Sequence, residues 1–308
     1  MTTLAITGGT GFVGGHLLRL VTERDGQARA LARRPQPPMR RIFWVSGALD
    51  QPAALARLMA GADVAIHVAG VVNAPDRAGF AAGNIAGTTA MIAAARDAGV
   101  RRFVHVSSLA AREPDLSAYG WSKAESEKLV TASGLDWSIV RPPAVYGPGD
   151  LEILELFRMA ARGLVALPPG GRLSAIAAED LARLLLALAE GGEPGRIYEP
   201  DDGRPDGWSH DEFAHALGAA VGRKVRTLAV PAGLLRVGAR IDGLVRGGKA
   251  KLTADRVRYF CHPDWVSDPD RAPPAALWRA EIATPAGLSA TADWYRAQGL
   301  LPPARPKS

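Results

Sequence analysis

The stretch AYGWSKAESE, Ala118 to Glu127, sets Tyr119 and Lys123 four residues apart. On a helix, residues i and i+4 share a face, so a phenol and an ammonium there act on one spot. A phenol with an ordinary pKa of about 10 is a poor acid–base group at neutral pH. A neighbouring ammonium favours the phenolate and lowers that pKa, fitting tyrosine to exchange a proton with a reacting oxygen. With five Tyr and six Lys in 308 residues, chance supplies about 0.1 such pairs, so the spacing alone is a weak signal. The plainer reading is a charged surface helix, since Glu125, Glu127 and Lys128 lie close by. Against it, VHVSS places Ser107 and Ser108 just upstream, where the Ser108 hydroxyl would orient the same oxygen.

These groups need a scaffold. The first two thirds of the chain alternate short apolar runs with helical patterns, the signature of parallel βαβ units. Strands are predicted at Thr3–Thr7, Gln27–Arg33, Arg41–Gly47, Ala62–Gly70, Arg101–Ser108 and Asp136–Pro143. Each is followed by a helical pattern, including Asn84–Gly99 and Tyr119–Gly134. Ser107 and Ser108 thus end the fifth strand, at the carboxyl edge where α/β sheets bind ligands. After VYGPGD (Val145–Asp150) helices dominate: Glu152–Arg162, Glu179–Ala189, Ser209–Ala220, Pro231–Arg246 and Pro285–Gln298. Strand-like GRIYEP and KVRTLAV separate them, and there is no internal repeat. The loop Arg33–Arg41 and the tail Pro302–Ser308 read as flexible.

TGGTGFVGGHL follows the first strand and opens the first helix, with Gly8, Gly11 and Gly14 three apart. Gly8 permits a tight turn, Gly11 lets the backbone approach a phosphate, and Gly14 lets helix pack close on strand. A helix N-terminus then offers unpaired N–H groups and a positive dipole end to a pyrophosphate. Thr10, Phe12 and Val13 complete this cofactor-binding loop. The alternative is a tight turn without ligand. At the end of the second strand, ALARRP carries Arg33 and Arg34 and no carboxylate. A guanidinium there pairs with a 2′-phosphate and stacks on adenine, which favours NADP(H) over NAD(H). A solvated arginine pair would leave that choice open. With a nicotinamide in place, Tyr119 would protonate a carbonyl oxygen as its carbon receives hydride, and Lys123 would also hold the nicotinamide ribose.

Taken together, these motifs resemble the extended short-chain dehydrogenase/reductase family, the NAD(P)-dependent epimerase/dehydratase group. TGGTGFVG is similar to its glycine loop, DVAIHVAG to its fourth-strand segment and NIAGT to the start of the next helix. FVHVSS, YGWSK and IVRPPAVYGPGD resemble its serine, its YxxxK and its motif after the sheet. The resemblance covers nearly the whole chain and implies Ser108, Tyr119 and Lys123 as a catalytic triad. It places Leu49, Ala69, Gly70 and Pro142 at the cofactor, with backbone around Pro142 and Pro143 holding the nicotinamide amide. It implies a Rossmann doubly wound parallel sheet over residues 1–150, with 174–200 returning to it. A smaller, mostly helical substrate lobe takes 151–173 and 201–308. Two features depart from the pattern. Ala48 in SGALD stands where an adenine-contacting Asp is frequent, so adenine recognition would fall more on backbone or Arg33. Only LAAREPDLSA separates Ser108 from Tyr119, so the loop that often covers substrate is trimmed.

Leu109, Ala110 and Ala111 follow the serine where sugar dehydratases usually add an acidic residue, which disfavours dehydration. The segment 231–251 has apolar residues at 234, 237, 241, 244 and 245, flanked by Arg236, Arg240, Arg246, Lys249 and Lys251. Such a helix suits a lid over the substrate pocket or a peripheral membrane contact. Either suits a hydrophobic ketone, such as a 3-keto sphingoid, ceramide-like or steroid-like lipid. Two rivals stand beside this reading: a nucleotide-sugar 4-epimerase or reductase, and a non-catalytic subunit that holds NADPH in a larger complex. The latter has no need of all three triad residues.

The composition, 47% hydrophobic and 22% charged, is that of an ordinary globular protein. The net charge of +6 and pI of about 9.8 come from scattered arginines without interleaved aromatics or a recognised motif, so nucleic acid is not expected. One cysteine, Cys261, fits a reducing, cytoplasmic location. His67, His105, His210, His215 and His262 lack metal-ligand spacing and read as structural or surface residues; no metal is expected. The N-terminus is too glycine-rich for a signal peptide. No stretch is expected to reach the roughly 18 charge-free apolar residues of a membrane span. A homodimer would pair through Asn84–Gly99 and Tyr119–Gly134.

Overall fold

A computed structural model of the chain describes residues 2–168, 170–246 and 253–303. In chain order the first part holds β1 (Thr3–Thr7), α1 (Phe12–Glu23), β2 (Gln27–Ala32), β3 (Ile42–Ser46), α2 (Pro52–Met59) and β4 (Val64–His67). Then come α3 (Arg77–Phe80), α4 (Gly87–Asp97), β5 (Arg102–Val106), α5 (Ala118–Thr131) and β6 (Asp136–Val140). The chain continues through β7 (Ala144–Tyr146), α6 (Leu154–Arg162), β8 (Leu164–Leu167), β9 (Arg172–Leu173) and β10 (Ala175–Ala177). It goes on to α7 (Ala178–Glu190), β11 (Arg196–Tyr198), β12 (Trp208–Ser209), α8 (His210–Val221) and β13 (Arg226–Ala229). Last are α9 (Ala232–Arg246), α10 (Ala254–Phe260), β14 (Asp264–Trp265) and α11 (Thr284–Ala297).

Seven parallel strands form one sheet in the order β11-β6-β5-β4-β1-β2-β3. This is the doubly wound α/β fold that the motifs imply. Strands buried on both faces need continuous apolar runs, and β1 and β4 have them. α1 and α7 pack together on one side. On the other, Leu55, Leu58 and Met59 of α2, Met91 and Ile92 of α4 and Val130 of α5 bury against Phe103 and Ile139. The strand order reverses between β1 and β4, and a crevice at that point is where such sheets take ligands.

The chain divides into two compact units: Met1–Pro142, Ala178–Pro200 and Pro269–Arg279 in the first, and Pro143–Ala177, Asp201–Asp268 and Ala280–Ser308 in the second. Three segments differ from those read in the sequence. Residues 143–150 and 174–177 leave the first unit because β7 pairs with β10. Residues 269–279 join it, with the Glu199 amide donating to Arg271 O at 2.9 Å and the Trp278 indole to Asp180 O at 3.0 Å. The second unit buries Tyr146, Phe157, Trp208, Phe213, Leu217, Leu288 and Tyr295 in its own core.

Other expectations need correcting. Among the described residues, β2 runs to β3 without a helix, through a proline-rich loop pinned where the Trp44 indole donates to Pro37 O at 3.0 Å. The helix expected at Asn84 begins at Arg77, where Asp76 caps it by accepting from the Gly79 amide at 2.8 Å. It passes through a π-helical stretch, Ala81–Ala86, before α4. α6 starts at Leu154 because the Asp150 carboxylate accepts from the Glu152 amide at 2.7 Å and holds a turn there. Arg77–Asp97 is also long and apolar enough to cross a membrane by composition, contrary to expectation. Its many Ala residues raise the mean hydropathy, and its buried Thr88, Met91, Ile92 and Ala95 seat it in the first unit. Of the segment 231–251, residues 247–251 lie outside the described residues, as does 304–308 of the tail.

Candidate active site

The glycine loop is held open by contacts that leave no space for side chains. Gly8 has φ of +76°, and a Cβ there would lie 2.6 Å from Ala69 N. A Cβ on Gly14 would meet Gly8 O at 2.1 Å, so α1 packs against the loop only because Gly14 is bare. Gly11 is the N-cap of α1 and supplies no side chain to its first turn, which carries no acidic residue. The orphan N–H groups and the positive end of the dipole therefore stay available to an anion. Thr10, Phe12 and Val13 occupy this loop and first turn. Across the strand reversal, Ala69 N donates to Thr7 Oγ1 at 3.3 Å, which draws the end of β4 against the end of β1. This cradle fits a dinucleotide pyrophosphate.

Past β2, Arg33 and Arg34 are exposed, and neither forms an ion pair among the described residues. Two free guanidiniums at this edge can take a 2′-phosphate. Leu49 follows β3 and packs beneath α4, its Cδ1 placed 2.8 Å from where a Gly87 Cβ would lie.

Tyr119 sits in the first turn of α5, which Ser117 caps by accepting from the Gly120 amide at 2.9 Å. Gly120 is obligatory here: a Cβ would lie 2.6 Å from Ala110 O. The trimmed interval after Ser108 forms a 3-10 turn, Leu109–Arg112, against which α5 starts. Ser108 caps that turn, accepting from the Ala110 amide at 3.2 Å, and its side chain hydrogen-bonds the Tyr119 phenol. The Phe80 ring centroid lies 6.1 Å from that of Tyr119. Lys123 is buried and donates to Val106 O at 2.9 Å. Its Nζ also lies beside Gly70, 3.1 Å from where a Cβ would stand. The structure thus gathers Ser108, Tyr119, Lys123 and Gly70 at the carboxyl edge of the sheet. Pro142 follows β6 two residues beyond its end, its carbonyl accepting from Leu109 N at 3.1 Å.

The electrostatics depart from expectation in one respect. Burial pushes the Tyr119 phenol above its ordinary range, and the Ser108 hydrogen bond only works against that rise. Desolvation, not the ammonium, dominates. The phenol, protonated at neutral pH even at its ordinary pKa, stays in the form that donates to an oxygen. Burial pulls Lys123 down to about 8, with the Glu127 charge holding it up in part. His67 lies below, bonded to Thr7 Oγ1 at 2.7 Å and Thr88 Oγ1 at 3.2 Å, with its ring stacked on His105 at 5.4 Å. Burial takes His67 down to about 3 and His105 well below its usual range, so both rings stay neutral.

Two features carry no role in the sequence reading. Asn84, in the π-helical stretch, accepts from Val71 N at 2.7 Å and donates to Val71 O at 3.0 Å and Ser122 Oγ at 2.8 Å. It ties the loop after β4 to α5 one residue from Lys123. Its signal was the NIAGT motif itself. The second is a buried ion network. Glu127, one turn beyond Lys123, accepts from Ser107 Oγ at 2.5 Å and from Arg141 Nε and Nη2 at 2.9 and 2.6 Å. Arg141 Nη1 also donates to the fully buried Glu199 at 3.2 Å, which takes Arg112 at 3.2 Å. No local spacing announces these pairs, since their members lie 14, 58 and 87 residues apart.

With this geometry in view, comparison with known proteins is specific. The NAD dependent epimerase/dehydratase family model matches residues 4–199. The chain is similar to a ceramide reductase from Caulobacter vibrioides (strain NA1000 / CB15N), 41% identical over 312 residues, 97% of this chain and 96% of that one. It is similar to a 4-hydroxy-2-methyl-3-oxo-4-farnesyl-3,4-dihydroquinoline-1-oxide ketoreductase from Stigmatella aurantiaca, 31% identical over 65% of this chain and 68% of that one. In fold it matches MoeE5, solved in complex with UDP-glucose and NAD, with a TM-score of 0.75 at 22% identity over 97% of this chain and 99% of that one. The chain belongs to the NAD-dependent epimerase/dehydratase family, and is an NAD(P)-dependent oxidoreductase of the extended short-chain dehydrogenase/reductase type.

Proposed function

We propose that this enzyme uses NADPH to reduce a ketone on a hydrophobic, lipid-type substrate to a secondary alcohol, with a ceramide-like or 3-keto sphingoid ketone as the leading candidate. The observation that carries the reading is the Tyr119 phenol, hydrogen-bonded to Ser108 and one helical turn from the buried Lys123. The likeness to a ceramide reductase over 97% of the chain supports the substrate class.

The loop Gly8–Gly14, Arg33, Ala69 and Gly70 would hold the dinucleotide, which supplies hydride when bound. Everything else falls to the side chains. Ser108 donates to the ketone oxygen and fixes it beside the phenol. Tyr119 gives that oxygen its proton as negative charge develops there, converting C=O to an alcohol. Lys123, held by Val106 O, stabilises the phenolate left behind.

The test is NADPH oxidation by the purified enzyme, with detergent-dispersed keto-ceramide and 3-keto sphingoid set against UDP-sugars. Turnover with the lipids alone is expected. Turnover only with UDP-sugars would replace the substrate class, and turnover with neither would end the lipid reading.

Cofactor preference has its own test. Arg33→Asp is expected to weaken NADPH binding by about 10–100-fold, the loss of charge-assisted hydrogen bonds to a phosphate, and NADH binding by less than about threefold. Fluorescence titration of both dinucleotides measures this. Equal losses would remove Arg33 from 2′-phosphate recognition.

A further inference from the structure

We propose that α9 docks the second unit onto the surface of an anionic lipid bilayer. The periodicity of 231–251 marks an apolar stripe but leaves its direction open. In the structure it points outward: Leu234, Val237 and Leu244 are 63%, 50% and 87% exposed. At about 100° per residue they fall within an arc of roughly 80°. Ala239, buried, and Leu235, half-buried, fall on the other side and seat the helix. α9 thus has one apolar face packed and a second one bare.

Charge identifies the occupant. Arg240 is exposed on the flank of the bare stripe and Arg236 is exposed about 40° further round the helix, and neither forms an ion pair among the described residues. The helix's one acidic residue, Asp242, is half-buried on the packed side. The neighbouring elements continue the character: β13, which leads into the helix, exposes Leu228 and Arg226, and α10, which packs on α9, exposes Phe260. An apolar stripe edged by unpaired arginines matches an interface where acyl chains lie below anionic head groups. A second copy matches less well, because a two-fold pairing of the stripes would bring the same arginines toward their mates without an acid between them. Docking needs no particular ketone, so it stands apart from the substrate reading.

Flotation of the full chain with vesicles tests the proposal. Binding to phosphatidylglycerol–phosphatidylcholine vesicles is expected at about tenfold or more above that to phosphatidylcholine alone, falling as salt is raised. Leu234→Asp with Leu244→Asp, and separately Arg236→Glu with Arg240→Glu, are each expected to reduce it by about tenfold. Unfolding midpoint and NADPH affinity, read on the same samples, should not move in either double variant. Absence of binding to the anionic vesicles, or binding that both variants retain, would overturn the proposal. So would sedimentation showing a dimer that Leu244→Asp splits into monomers, since the stripe would then serve self-association. The ketone screen contains no vesicles, so the two readings fail separately.

Discussion

Replacing Tyr119 by Phe is expected to lower ketone reduction by about 10²–10⁴-fold, the range for loss of a general acid, while NADPH affinity stays within about twofold. The substitution removes one oxygen and little else. Phe keeps the ring against Phe80, α5 keeps its Ser117 cap, and Ser108 keeps its bond from the Ala110 amide. What disappears is the phenolic proton beside Ser108. The same step predicts a pH dependence. Lys123 carries its charge below a pKa that burial has lowered to about 8, so the phenolate formed on proton transfer is stabilised below that pH and progressively less above it. The reductive kcat/KM of the unaltered enzyme should therefore decline as pH rises through about 8. Stopped-flow NADPH oxidation across pH 6–10 (roughly the range of interest) measures both effects. Undiminished turnover in the Phe variant would end the assignment of Tyr119 as the acid, and a profile level beyond pH 9 (about one unit past that pKa) would detach Lys123 from the step.

The sequence exposes some of this site and conceals the rest, for physical reasons. The glycine loop is legible because its demands are local: Gly8 needs positive φ and Gly14 needs a bare Cα, and both are written within seven residues of one strand. Tyr119 and Lys123 are legible because a helix converts a spacing of four into a shared face. The direction of the phenol's pKa is not, since desolvation depends on what packs around the ring. Nor does periodicity say which way a stripe faces. It groups Leu234, Val237 and Leu244, yet only packing through Leu235 and Ala239 turns them outward. The start of the helix at Arg77 hides for a different reason. Its first turns are Ala- and Gly-rich, and Asn84 interrupts them to reach Val71 and Ser122 in a way no helical repeat encodes. The strand β11 reads as a short strand-like piece, and only the family resemblance, not the piece itself, implies its return to the sheet, where it pairs with β6.

Arg141→Met is expected to destabilise the enzyme by about 3–5 kcal/mol, the cost of stranding buried charge. Arg141 touches both Glu127 and Glu199, and all three are largely or wholly withdrawn from water. Without it, Glu127 keeps the Ser107 hydroxyl and the Lys123 charge one turn away, and among the partners of Glu199 are Arg112 and the more exposed Arg271. Methionine fills similar volume, so the loss reports charge rather than a cavity. The companion variant Glu127→Gln, Arg141→Met, Glu199→Gln removes the charges together and should recover a substantial part of that stability, because neutral amides are far cheaper to bury than lone carboxylates. Urea unfolding of the three proteins measures the difference, and a loss below about 1 kcal/mol for Arg141→Met would mean that water reaches the carboxylates and the network bears little. The triple variant also separates folding from positioning. Ser107 adjoins Ser108, and Glu127 lies one turn from Lys123, so the network joins the end of β5 to α5. A triple variant that folds yet reduces ketone more slowly, with NADPH affinity intact, would show that these ions hold the serine and the phenol in register; full activity would confine them to stability.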